Sequence, residues 1–346
     1  MVSHNFFKDN GSLLRLVSSP IASKIRNLFS LCSFFDPNNQ LTVNFVLGYE
    51  SELASLCCNS LRNSWVNVIF FEKLIPIIFS SFYNHFFIIN YMRILSYNLF
   101  WRVFDCHGQF RRCIYKSENI CVRNIRDIIM DVGKESDEIY PDYDFMSFQE
   151  VRIKQIMRMG FPSGFINNYK IVYMAIGNNT VSIFYNKKYH LIKKIGGNLT
   201  KTRDPRPFLI AVFREKIIYI TIHFPHSNFK MVLKTIFMVL RTIPQYWDPS
   251  YNIILSGDFN HTPDLDHLNQ LELVRKFYNS PTHYTCCREN RFDKYEKKYD
   301  NIFTTFGPAV EYKTLTNPEK YNINNVPLMS DHLPIYCKIP NTLTAG

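Results

Sequence analysis

The sequence predicts an α/β protein built in layers on β-sheets. Three observations carry this. Short runs rich in β-branched and aromatic residues recur between positions 93 and 338, only two segments have a clear helical period, and the apolar runs end one after another on polar side chains. With 46% hydrophobic and 20% charged residues over 346 positions, disordered and fibrous classes are excluded and a substantial core is available.

The elements follow in order. Residues 93–101 (RILSYNLFW) form a β-branched and aromatic run suited to a buried strand. Residues 119–132 place Cys121, Val122, Ile125, Ile128 and Ile129 at helical spacing, and Gly133 is a natural stop. A strand over 144–150 ends on the carboxylate of Glu150. Further strands are predicted over 181–185, 208–213, 217–223, 252–258, 301–303 and 333–338, with a helix over 229–242 closed by Pro244.

Charge divides the chain. Residues 1–91 carry 6 basic and 5 acidic side chains, whereas residues 92–346 carry 34 and 24, so nearly all of the net +11 belongs to the second part. A basic surface attracts polyanions, either nucleic acid or anionic lipid. Residues 74–92 contain no Asp, Glu, Lys or Arg, which approaches the ~20 residues of a membrane span, but Pro76, Asn84, His85 and Asn90 oppose one. An accessory segment, or an upstream reading frame joined ahead of a true start at Met92, is preferred to a membrane anchor for residues 1–91. No secretory leader pattern opens the chain, and its nine cysteines include no CxxC doublets. The expectation is an intracellular protein, cytoplasmic or nuclear and not secreted, monomeric and with free thiols.

The chemistry lies at the strand ends. Asn98, Gln149-Glu150, His223, Asp258-Phe-Asn260 and Asp300 terminate apolar runs, and Ser330-Asp331-His332 precedes the last strand. Strand ends feeding loops are where a rigid scaffold presents functional groups. Carboxylates with Asn and His, and without Cys, form a hard oxygen set suited to Mg²⁺ or Mn²⁺, and histidines add proton transfer near neutral pH. Any one of these residues alone reads more simply as a turn former or a hydrogen-bonded side chain.

The ordered motifs SYN (96–98), FQE (148–150), TIH (221–223), SGDFN (256–260), YDNIF (299–303) and SDHLP (330–334) resemble the endonuclease/exonuclease/phosphatase superfamily, which includes deoxyribonuclease I. The resemblance covers about 250 residues, a catalytic domain over 92–340 followed by a tail, 341–346. It implies a four-layered α/β sandwich, with two packed mixed β-sheets flanked by helices. It also implies that Glu150 and Asn98 hold a divalent metal and that Asp331 adds a carboxylate. Asp258 then matches the group that orients or deprotonates the attacking water. Asn260 would hold a non-bridging oxygen, His332 would contact the scissile phosphate oriented by Asp300, and His223 would be the general acid.

Arg206, in Asp204-Pro-Arg-Pro-Phe208, matches a recurrent position at which a guanidinium clamps phosphate. Lys193, Lys194, Lys201 and Arg203 lie near it in sequence, and the run 291–299 interleaves cations with aromatics as single-stranded nucleic acid binding requires. There are departures. Phe100 stands where abasic-site and tyrosyl-DNA processing relatives carry a carboxylate, and His223 replaces the Tyr of abasic-site endonucleases. The surroundings of the GDFN segment differ from those of inositol 5-phosphatases. The functional expectation is a Mg²⁺- or Mn²⁺-dependent phosphodiesterase acting on DNA or RNA. The alternatives are a phosphoinositide or sphingomyelin phosphohydrolase at a membrane surface, and a fold reused as an inactive binding module.

Overall fold

In the computed structural model the described residues are 91–105, 114–115, 118–177, 179–200, 204–279, 284–288, 291–323 and 326–340. The expectations for residues 1–90, for the tail and for Lys201 and Arg203 fall outside them.

Twelve strands make the two main sheets. In chain order they are β1 (Tyr91–Asn98), β2 (Phe145–Gln149), β3 (Tyr169–Ile176), β4 (Asn179–Asn186), β5 (Leu191–Asn198) and β6 (Pro207–Phe213). Then come β7 (Ile217–His223), β8 (Asn252–Asp258), β9 (Tyr278–Asn279), β10 (Asp300–Thr304), β11 (Glu311–Thr314) and β12 (Ile335–Pro340). One six-stranded sheet has the order β11-β12-β1-β2-β4-β3, the other β9-β10-β8-β7-β6-β5. Both are mixed, because β1 runs parallel to β2 and β7 parallel to β8 while their other neighbours are antiparallel.

The side-chain period of two in a strand sorts residues between layers. Met92 and Ile94 of β1, Phe145 of β2, Ile217 and Tyr219 of β7, Ile254 of β8 and Ile335 of β12 share the core between the sheets. Their alternates, Leu95, Tyr97, Met146 and Phe148, pack under the helix α1 (Ile120–Val132) through Cys121, Ile125, Ile128 and Ile129. On the other side Ile218, Ile220, Ile222, Ile253 and Leu255 meet α2 (Phe229–Leu240). Three apolar interfaces therefore separate four layers, helix, sheet, sheet and helix. This is the predicted sandwich.

Four details differ from the sequence expectations. The first strand ends at Asn98 rather than at 101, because Phe100 takes a left-handed φ of 49° and a helical turn, Arg102–Asp105, follows. The last strand begins at Ile335 rather than 333, after Pro334, which has no N–H to give to a ladder. The edge strands β3, β5, β9 and β11 were not foreseen, since β9 has only two residues and the half-exposed patterns of the others mix Lys, Gly and Tyr with few buried positions. Cys286 and Cys337 are buried free thiols, but Cys121 is disulfide-bonded, contrary to the free-thiol expectation. Sequence spacing does not show which sulfurs a fold brings within bonding reach. No helix among the described residues is long and apolar enough to cross a membrane.

Candidate active site

Along the strands the layer between the sheets changes from apolar to polar. In β1 the inward positions read Met92, Ile94, Ser96, Asn98; in β7, Ile217, Tyr219, Thr221, His223; in β8, Ile254, Ser256, Asp258. The intermediate row bonds across the sheets: Ser147 Oγ lies 2.9 Å from Ser256 Oγ, Ser256 donates to Tyr219 at 3.0 Å, and Gln149 Nε2 donates to Thr221 Oγ1 at 3.1 Å.

Beyond that row the site is assembled by register. Asp258 lies opposite His223 on β7 and opposite Asp300 on β10, so three strands align one row of ionisable groups. The facing sheet adds Asn98 from the end of β1 and Glu150 just after β2. Glu150 holds a left-handed φ of 58°, and Asn260, two residues past the end of β8, one of 48°; non-glycine residues keep such conformations only where the surroundings enforce them. Gly257 is required outright: its φ is +134°, and a Cβ there would sit 2.1 Å from the Ile222 carbonyl oxygen.

Asn98 Nδ2 bridges the two sheets, donating to Asp258 Oδ2 at 2.9 Å and to Glu150 Oε1 at 3.2 Å. His223 Nε2 stands 3.1 Å from Glu150 Oε1 and 3.8 Å from Asp258 Oδ2. The second histidine, His332, has Nδ1 2.8 Å from Asp300 Oδ2 and Nε2 3.8 Å from Asp258 Oδ2. Asp258 thus lies between two imidazoles, with Oδ1 accepting from the Asn260 N–H at 2.7 Å. Ser330 Oγ donates to the Asn98 carbonyl at 2.6 Å and accepts from the His332 N–H at 3.1 Å, which fixes the 330–332 turn to β1.

The electrostatics follow from this packing. Burial alone would push the Glu150 carboxyl up, but the His223 charge and hydrogen bond, with His332 and Asn98, outweigh it and hold the group at about 2. Burial works against a charged His332, yet Asp300, Cys286 and Asp258 together raise it well above its ordinary value. Burial also raises Asp300 while His332 pulls it back. We take the pair as imidazolium and carboxylate, because the Asp300 and Asp258 carboxylates both favour the charged ring. Asp331 is raised to about 7, by burial first and then by Glu150 and Asp258, against His332.

A divalent metal fits this donor set. Glu150, His223 and Asp258 form one group whose ligand atoms lie within 4.8 Å of one another, and Asp258, Asp300 and His332 form a second. Asp331 belongs to neither group, yet its Oδ1 is buried without a hydrogen-bond partner. Such an orphaned carboxylate oxygen calls for a cation. The oxygen-rich set suits a hard ion.

The remaining expected residues are placed as follows. Arg206 turns its Nη1 onto His223, Nη2 lying 2.6 Å from Asp204 Oδ2. Asn260 Nδ2 donates to the Phe224 carbonyl at 2.7 Å, so one of its amide protons ties two loops together. The run 291–299 is largely one strand of a hairpin, Arg291–Lys297 pairing with Cys286–Arg288, and Lys297 and Lys298 lie over Tyr299 and Tyr284. The sequence does not point to the segment 285–286 as part of the site. Thr285 Oγ1 accepts from the Asp300 N–H at 3.1 Å, and Cys286 Sγ lies 3.6 Å from His332 Nε2. Nothing in the local sequence signals this, since an isolated bridge between Cys286 and His332 creates the contact.

No family model matches the chain, and no curated protein matches it. Solved structures do share its fold. A humanized D. rerio TDP2 carrying 14 mutations matches 72% of this chain and 99% of its own at 14% identity, with a TM-score of 0.52. An endonuclease/exonuclease/phosphatase from Bacteroides vulgatus matches 72% and 98% at 15% identity and TM-score 0.50. A Bacteroides thetaiotaomicron mannosyl-6-phosphatase matches 71% and 98% at 16% identity and TM-score 0.50. The likeness establishes the fold: the chain has the α/β architecture of endonuclease/exonuclease/phosphatase proteins, the class to which its ordered motifs pointed.

Proposed function

We propose that the protein is a divalent-metal-dependent phosphodiesterase that hydrolyses nucleic acid. One observation carries the reading: two carboxylate–imidazole arrangements, Glu150–His223 and Asp300–His332, converge on Asp258 from the ends of two packed sheets. A structural core has no need of so many buried ionisable groups, each costly to desolvate.

Glu150 and Asn98 would hold the metal, with Asp331 as the additional carboxylate. When bound, the ion neutralises a phosphate oxygen and stabilises charge that develops during the reaction. Asp258, fixed at both oxygens, aligns water and takes its proton. His332, kept cationic by Asp300, donates toward a phosphoryl oxygen as negative charge builds. Proton delivery to the departing oxygen falls to His223. Arg206, whose Nη1 contacts His223, supplies positive charge on the same side.

Nucleic acid is favoured over other phosphate esters because residues 92–346 carry 34 basic against 24 acidic side chains. The fold is neutral on this choice, since function resides in the site. A substrate panel decides it. Labelled single- and double-stranded DNA and RNA, an inositol phosphate and sphingomyelin are incubated with the full chain, with Mg²⁺ or chelator. Mg²⁺-dependent oligonucleotide cleavage that is lost in Glu150→Ala is the expected result. Hydrolysis confined to the lipid or inositol substrates overturns the nuclease reading, and no reaction with any substrate favours a binding module.

A further inference from the structure

The loops that carry His223 and Asn260 continue beyond them into a groove. After His223 the chain passes through His226 into α2, and after Asn260 it passes through His261 into α3 (Leu265–Leu271). Between these two junctions lies a cleft of about 530 Å³ lined by His226, Phe229, Lys230, His261, Asp264 and His267, among others. That volume falls in the range of ligand sites. The cleft adjoins the candidate active site, because His226 lies three residues after His223 and His261 directly follows Asn260, and both line it.

Its lining has a definite chemistry. The exposed ring of His261 stacks on Phe229, with centroids 5.0 Å apart and planes at 36°. His261 Nδ1 lies 3.0 Å from the Thr262 carbonyl oxygen; a carbonyl only accepts, so Nδ1 carries the proton and the ring is fixed from two directions. Phe229 in turn packs on Phe224 at 5.6 Å and on Phe259 at 6.4 Å, the neighbours of His223 and Asp258, so the platform is anchored to the strand ends. Asp264, an acid in the lining, accepts at Oδ1 from the N–H groups of Asp266 and His267 at 3.0 and 3.3 Å. Lys230 is exposed at the rim, and His267 Nε2 is buried without a hydrogen-bond partner.

We infer that this groove is a flanking-nucleotide subsite for a single-stranded nucleic acid. With the scissile phosphate between His223 and His332, the neighbouring base stacks on the open face of His261, and the next phosphate lies against Lys230 and His226. A fixed aromatic surface beside a lysine is the combination that single strands use, since every base has a face to stack and every linkage a charge. The inference rests on the nuclease reading and assigns which side of the site the substrate strand occupies.

Binding in chelator tests it without turnover. Anisotropy of a fluorescein-labelled single-stranded octanucleotide is measured with the full-length wild type and with His261→Ala, His261→Phe and Lys230→Ala. Loss of the stacked base weakens binding roughly ten-fold in His261→Ala, and His261→Phe restores it because the ring face survives. Lys230→Ala lowers the salt-dependence slope by about 0.7, as expected for one phosphate contact on a single strand. If His261→Ala binds like wild type, or if His261→Phe is as weak as the Ala variant, the subsite is wrong, while Mg²⁺-dependent cleavage by the wild type still upholds the nuclease reading. A wild type that binds phosphoinositide vesicles but no oligonucleotide overturns both.

Discussion

The two ends of the layer between the sheets are made by the same strands and behave in opposite ways. One end, with Met92, Ile94, Phe145, Ile217 and Ile254, buries apolar side chains at 0% exposure. Such burial stabilises by about 25 cal/mol per Å² and makes no demand on orientation. The other end buries Asn98, His223, Asp258, Asp300 and His332 almost as deeply, at 0 to 5% exposure. Each of these groups costs free energy unless a partner is placed for it. A row of Ser147, Gln149, Thr221 and Ser256 lies between, hydrogen-bonded across the sheets. A strand can therefore serve as scaffold at one end and as reagent at the other, and the change takes only a few residues of one face.

The largest expected effects separate the two ends. Asp258→Asn keeps the shape and removes the charge between the imidazoles; phosphodiesterase activity should fall at least ~10³-fold, as when a general base is lost. Its thermal midpoint should move by only a few degrees, which differential scanning calorimetry will show. Ile254→Ala should do the reverse. It opens a cavity in the apolar end worth about 2–5 kcal/mol, read as a lower urea midpoint, with kcat/KM per folded molecule nearly unchanged. A large stability loss in Asp258→Asn, or a large catalytic loss in folded Ile254→Ala, would dissolve the distinction.

Much of this gradient was legible in the sequence. Residues 217–223, IIYITIH, show period-two alternation and the polar ending directly, and the observed strand has those bounds. Ser256-Gly-Asp-Phe-Asn260 was legible for the same reason, with a glycine where only a glycine fits. What the sequence withheld depends on long-range packing. The contact of Cys286 with His332 joins residues 46 apart. The groove between α2 and α3 exists because two loops distant in sequence leave adjacent parallel strands side by side. Edge strands such as Leu191–Asn198 were also missed, since an edge is defined by the neighbour it lacks, which no local pattern records.

The intermediate row offers a smaller test. Ser256→Ala removes a hydroxyl that lies 2.9 Å from Ser147 and donates to Tyr219 at 3.0 Å, leaving buried groups without a partner. The expected cost is about 2 kcal/mol by urea denaturation. The double variant Ser147→Ala/Ser256→Ala should recover part of it, since two apolar partners leave fewer unmet groups. Additive losses in the double-mutant cycle would mean that the row contributes no bonding between the sheets.

The smallest effect is a pH signature at the polar end. The Asp331 carboxyl sits at about 7 in the fold against 3.8 ordinarily, because burial, Glu150 and Asp258 resist its charge. Between those values the unfolded chain releases the proton and the folded chain keeps it, so stability falls as pH rises through that window and stays low above it. Glu150 has the opposite sign: held at about 2 against 4.5 ordinarily, it contributes stability above its ordinary value that is lost as the pH falls toward 2. Asp331→Asn removes only the first of these. In chelator at pH 8 it should melt above the wild type by roughly 1–2 kcal/mol of stability, after allowance for the water that reaches this partly exposed side chain. The gap should close only below the ordinary value of 3.8, by about pH 3, where the carboxyl is protonated in both states. Added Mg²⁺ should then raise the wild type more than Asp331→Asn, because an ion that binds only the native state stabilises most where the orphaned oxygen remains. Equal melting of the two proteins at pH 8 in chelator would show that this oxygen is not held against its charge, and that the polar end is relaxed rather than poised for a cation.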